Sequence, residues 1–154
     1  MICTLPDELR GLWLANITVM TQLLYATVRE TRCELLGDEK YLGAHPGIIA
    51  ALPTWSQTPV FHPHLHGLVT GGGLTDEGQW RAVRHGFLLP ALVVMAVFRD
   101  MLLAALRRGM TQGQLTLSEG RSRQQLENLL NKLGRPKWNV HIRERYAHGA
   151  GVLT

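Results

Sequence analysis

Three histidines within five residues, His62, His64 and His66, are the part of this sequence best equipped for chemistry. They fall in the run Phe61-His62-Pro63-His64-Leu65-His66-Gly67-Leu68-Val69-Thr70. Side chains of a β-strand alternate between its two faces, so the three imidazoles would project from one side. Phe61, Leu65 and Val69 would project from the other and pack on helices. Residues two apart on a strand stand about 7 Å from each other, close enough for two neighbouring imidazoles to share an ion. A third ligand would come from elsewhere. Imidazole is the commonest metal-binding side chain and suits Zn, Mn, Fe, Co and Ni. Gly67 and Gly71 to Gly73 leave room for a bulky ligand near the backbone. Surface histidines are often inert, so the residues alone leave both a metal centre and an idle cluster open.

The elements around that strand follow from periodicity. Ile2 to Leu5 is a short apolar run closed by Pro6, which suits a first strand, and Asp7 can cap the helix that follows. Leu9, Leu12, Trp13, Ile17, Met20, Leu23, Leu24 and Val28 recur at helical spacing, predicting one helix to about Leu36 before Gly37. Ile48 to Trp55 and Val60 to Thr70 read as strands, the glycines at 71–73 break the pattern, and Asp76-Glu77-Gly78 makes a turn before Trp80. A helix from about Phe87 to Arg108, a short strand over Thr111 to Thr116, a helix over Ser118 to Leu133 and a late strand over Trp138 to Arg143 complete the chain. Strands alternating with long helices predict a mixed α/β domain.

Composition narrows the class. With 154 residues, 45% hydrophobic and 18% charged, the chain has the size and apolar content of one folded domain. The longest apolar run, Phe87 to Phe98 continued by Met101 to Leu106, is interrupted at Arg99-Asp100 and falls short of the ~20 residues a membrane span needs. No secretory signal is read at the start, and Cys3 and Cys33 form no metal-binding pair, so a cytoplasmic, nucleoid-associated protein with reduced thiols is expected. The net charge of +4 is uneven: residues 107–154 carry +6 and residues 1–106 carry −2. A basic end on a near-neutral body suits either a polyanion such as DNA or a solvated basic helix.

The order of Pro46-Gly47-Ile48-Ile49-Ala50-Ala51-Leu52-Pro53-Thr54-Trp55-Ser56-Gln57-Thr58, then FHPHLH, LVTGGGL and Trp80, resembles the two-tyrosine rolling-circle transposases of the insertion sequence 91 family. Thr4-Leu5-Pro6, Glu8-Leu9-Arg10, Phe87-Leu88-Leu89-Pro90 and Phe98-Arg99 extend the resemblance over nearly the whole chain. It implies an α+β HUH endonuclease fold, ferredoxin- or RRM-like, with helices packed on one face of an antiparallel sheet and the His-x-His motif on a central strand of the other. His64-Leu65-His66 matches that motif, and His62 precedes it as a neighbour. The implied cofactor is a divalent ion, Mg or Mn, with Gln57 or His141 as candidate third ligand. Pro53 stands where family members commonly have a histidine.

The implied chemistry is nicking and joining of single-stranded DNA at transposon ends through a 5′-phosphotyrosine. In the family the catalytic tyrosines follow a Gly-Val-Leu-Thr-like segment, which here is Gly151 to Thr154, and a cysteine-rich zinc-binding region lies upstream. The expectation is therefore a single fragment over 1–154 that retains metal and DNA binding, alone or beside a second copy or a complementing transposase chain. Tyr146, among Arg143, Arg145 and His148, is the candidate nucleophile within this sequence. Arg121, Arg123, Arg135, Lys137, Arg143 and Arg145 are the candidate DNA contacts. Two other classes stay open: a DNA-binding remnant that works without metal, and a small zinc hydrolase drawing on Asp76 or Glu77.

Overall fold

A computed structural model describes residues 1–53, 61–83, 89–117 and 120–143. The chain opens with β1 (Ile2–Thr4), which Pro6 ends because proline has no amide to continue the ladder. A single 3-10 turn over Asp7–Leu9 leads into α1 (Arg10–Ala15) and α2 (Ile17–Gly37). Pro6, not Asp7, occupies the cap position, and Asp7 is the first residue of the turn, its carboxylate directed to Arg10 and His62.

The expected single helix is two helices, broken at Asn16 (φ −143°, ψ 42°). The break has a cause in side-chain hydrogen bonding. Asn16 donates to the carbonyls of Leu12 (2.9 Å) and Thr116 (2.7 Å) and accepts from the Thr116 amide (2.6 Å). An amide side chain that pairs with a distant backbone competes with its own helix. The same contacts explain why no strand forms over Thr111 to Thr116: that backbone is tied to Asn16, and Gly113 turns it at φ +68°.

Among the described residues, five antiparallel strands form one sheet, ordered β2 (His45–Ala51), β3 (His64–Leu74), β1 and β5 (Val140–His141), with β4 (Trp80–Ala82) also pairing with β3. The fold is α+β, as the family resemblance implies. β3 runs unbroken through Gly71 to Gly73, where sequence reading ended the strand. These glycines mark close crossings instead of a stop: a Cβ at Gly72 would meet the Trp80 ring and the Arg81 carbonyl, and one at Gly73 would meet the His45 backbone.

The helical layer comprises α1, α2, α3 (Ala91–Thr111) and α4 (Arg123–Leu133). Pro90 sets the start of α3 with extended ψ (125°), four residues later than the sequence suggested. Ser122 caps α4 by accepting from the Gln125 amide while the Gln125 side chain accepts from the Ser122 amide. Leu12, Trp13, Leu24, Phe98, Leu102, Leu126 and Leu130 pack with Cys3 and Leu65 into the main core. The late strand shrinks to two residues because Trp138 turns into that core, its Nε1 donating to the Leu133 carbonyl (2.9 Å).

Candidate functional site

The strand register assigns each side chain to a face. Cys3 pairs with Leu65 and with Val140, and Cys3 and Leu65 are 0% exposed, so this side of the sheet is sealed against the helices. The opposite side carries His64 beside Thr4, and a row running His141, Ile2, His66 and Ala51 across four strands. Ile49, 72% exposed, and Leu68 continue it. The apolar back and imidazole front expected from the sequence are therefore both present.

His64 is half-buried and His66 exposed, with ring centroids 4.9 Å apart and planes inclined by 53°. His64 Nδ1 lies 2.7 Å from the His62 carbonyl oxygen. A carbonyl only accepts, so Nδ1 carries the proton and Nε2 keeps its lone pair, the tautomer a metal ligand needs. His66 is held below the usual histidine range, first by partial burial and then by the adjacent His64, which keeps it neutral and able to donate a lone pair. The donor set thus fits a divalent ion at His64 and His66.

His62 stands one step behind, its ring 5.9 Å from that of His64 and its Nδ1 3.2 Å from an Asp7 carboxylate oxygen. Asp7 is the residue that sequence reading missed. Its signal was topological: β1 and β3 are antiparallel with Thr4 opposite His64, so residues just after β1 meet those just before β3. Asp7 and His62 also line a shallow depression with Leu5, Pro6, Arg10 and Phe61, which neither His64 nor His66 lines.

Other candidates are not brought together. Asp76 and Glu77 lie in the turn beyond the far end of β3, on the order of 30 Å along the strand from His66, and Asp76 pairs with His45 (3.0 Å). His141 shares the face of His66 but is two strands away, with Ile2 between them. Among the described residues, no cluster of three His, Cys, Asp or Glu side chains could hold a metal on its own. Gln57, Tyr146 and Arg145 lie outside the described residues.

The basic candidates divide by layer. Arg121 and Arg123 flank the start of α4 in the helical layer, and Arg135 and Lys137 follow its end. Arg143, exposed, lies two residues beyond the end of β5. Among the described residues, no helix is long and apolar enough to cross a membrane.

Comparison with known proteins agrees with this architecture. A family model described as "Putative transposase" matches residues 47–154, which include most of β2 and all of β3 with its histidines. A protein of Sinorhizobium fredii (strain NBRC 101917 / NGR234) named "Putative transposase y4qJ" is 32% identical over 99% of this chain, which covers 40% of that protein. The "Transposase for insertion sequence element IS801" of Pseudomonas savastanoi pv. phaseolicola is 29% identical over 100% of this chain, which covers 36% of it. The chain thus spans well under half the length of these relatives. No solved structure matches it. On the strength of the family match across more than half its residues, the protein belongs to the two-tyrosine transposase family.

Proposed function

We propose that this chain is the ion- and DNA-binding part of a transposase that nicks and joins single-stranded DNA through a phosphotyrosine intermediate. The observation that supports it is the hydrogen bond from His64 Nδ1 to the His62 carbonyl, which frees Nε2 beside His66 on an open sheet face. His64 and His66 would hold a divalent ion, Mg or Mn, with a third oxygen or nitrogen ligand from outside the described residues, Gln57 being one candidate. When bound, such an ion polarises a phosphodiester and offsets developing negative charge.

The chain's own residues do the rest. The exposed aliphatic surface of Ile49 and Leu68 lies alongside the histidines and can take the apolar faces of unpaired bases. Arg143, exposed just beyond β5, can hold a backbone phosphate. A tyrosine hydroxyl, with an ordinary pKa of ~10, is a weak nucleophile at neutral pH and needs an activated phosphorus. Tyr146 is the tyrosine of this sequence that the experiment below tests as the nucleophile.

The experiment is incubation with Mn²⁺ and a labelled single-stranded oligonucleotide carrying a transposon end, followed by denaturing electrophoresis. Retention of the oligonucleotide under native conditions without a covalent adduct is expected. An adduct lost on Tyr146→Phe would move the nucleophile into this chain. The +6 charge of residues 107–154 favours one rival, a DNA-binding remnant indifferent to metal. Binding that falls steeply with salt but ignores both chelator and His64→Ala would select it.

A further inference from the structure

Arg32 is a buried charge with no hydrogen-bond or ion-pair partner among the described residues. It lies near the end of α2, is 1% exposed, and none of its three guanidinium nitrogens has a hydrogen-bond partner among the described residues. No described carboxylate pairs with it. Cys3, the titratable group facing it from the sheet, is no counter-ion at neutral pH, because burial pushes its thiol up to about 11. Burial also pulls the Arg32 pKa down, yet a guanidinium keeps its proton in proteins. An unpaired buried cation is strongly unfavourable and is retained only where something offsets it.

Its position suggests what that is. The guanidinium fills the space under Gly67, where any Cβ would run into Nη2, Cζ and Nη1. Gly67 follows His66 and faces the helices, as its pairing with Ala50 beside the Leu65 side requires. The charge therefore stands directly beneath the histidine strand, at a residue with no side chain to hold it further off. Only the strand backbone separates it from the imidazole face.

We infer that Arg32 is a positioning residue for the DNA phosphate: its charge, without a counter-ion among the described residues and acting through the backbone of β3, strengthens the hold of a phosphate above His64 and His66. This rests on the ligand assignment made for that face. The guanidinium packs against the Gly67 backbone from the helix side and reaches neither the imidazole face nor the ion; it acts by the field it sets up. Such a field has a signature that a packing role lacks. It attracts an anion and repels a cation at the same place, so its removal must weaken phosphate binding and strengthen bare-cation binding.

The test uses the 154-residue chain as wild type, Arg32→Lys, Arg32→Met and Arg32→Gln. Single-stranded oligonucleotide binding is measured in EDTA at low salt by fluorescence anisotropy. Mn²⁺ binding without DNA is measured by electron paramagnetic resonance, and thermal unfolding is followed in parallel. The neutral variants should bind DNA about tenfold more weakly, from a unit charge on the order of 10 Å away at an effective dielectric near 20. They should bind Mn²⁺ severalfold more tightly and melt no lower than wild type, while Arg32→Lys stays near wild type. Loss of both ligands together with a lowered melting temperature, unchanged DNA binding, or failure of both neutral variants to fold would overturn the inference in favour of a structural strut. A wild type that binds neither Mn²⁺ nor DNA would instead remove the ligand assignment itself.

Discussion

The Nδ1 of His64 donates to the carbonyl oxygen of His62 across 2.7 Å, so the motif's own backbone sets the tautomer of its first imidazole. The orienting group is thus a peptide carbonyl and not the His62 ring. His62→Ala should leave Mn²⁺ affinity little changed, whereas His64→Ala should lower it by at least about 100-fold, more than loss of an orienting partner alone. Isothermal titration of the two variants checks this. Equal losses would show that the His62 side chain itself binds the ion.

The pH dependence of ion binding follows from His66. Its folded pKa is lowered from 6.5 by partial burial and by His64, so at this imidazole protons compete with metal only below that value. Mn²⁺ affinity should stay level from pH 8 to about 6.5 and decline beneath it. The same shift makes stability decline as pH falls below 6.5, because the unfolded chain takes up the proton first. An affinity that begins to fall above pH 7 would contradict the lowered value.

The two cysteines should behave oppositely. Cys33 is exposed and Cys3 fully buried, so iodoacetamide at pH 8 should modify Cys33 alone in the folded protein, as peptide mass spectrometry can read. Cys3 also makes the fold sensitive to alkali. Its thiol rises from 9.0 to about 11, so between these values the unfolded thiol ionises while the folded one does not. Stability is full below pH 9 and should fall by on the order of 2 kcal/mol as pH rises towards 11. Cys3→Ala should flatten that slope in denaturant titrations.

Gly67 tests the packing beneath the histidine strand. Gly67→Ala adds one methyl group where the fully buried Arg32 guanidinium already sits. Overpacking of this kind costs about 1–3 kcal/mol. Chemical denaturation should report a loss in that range, and Gly67→Ala combined with Arg32→Met should recover most of it. A neutral Gly67→Ala would mean that Arg32 moves aside freely.

Much of the site was legible because strand alternation is local. Leu65 between His64 and His66 requires one buried and two outward residues, and burial of Leu65 with exposure of His66 follows that rule. What was illegible depended on distant partners. Gly71 to Gly73 look like a stop, yet Trp80 and the His45 backbone press on them and keep them in β3. Asn16 reads as an ordinary helix position until Thr116, a hundred residues on, takes its side chain. Asp7 reads as a cap, but antiparallel pairing carries it to His62.

Asn16 therefore merits its own prediction. Asn16→Ala removes three hydrogen bonds, a buried one to the Leu12 carbonyl and two part-buried ones to the Thr116 backbone, which should lower stability by about 2–4 kcal/mol. Hydrogen exchange should quicken at the Thr116 amide while β3 stays protected. A loss below about 0.5 kcal/mol would show that water replaces the side chain.

The most direct measurement is electron paramagnetic resonance titration of Mn²⁺ into the wild-type chain and into the double variant His64→Ala/His66→Ala. Wild type is expected to take up one ion per chain, with line broadening relieved when imidazole nitrogen ligands are lost in the double variant. Equal uptake by both proteins would contradict an ion held on the open face of β3.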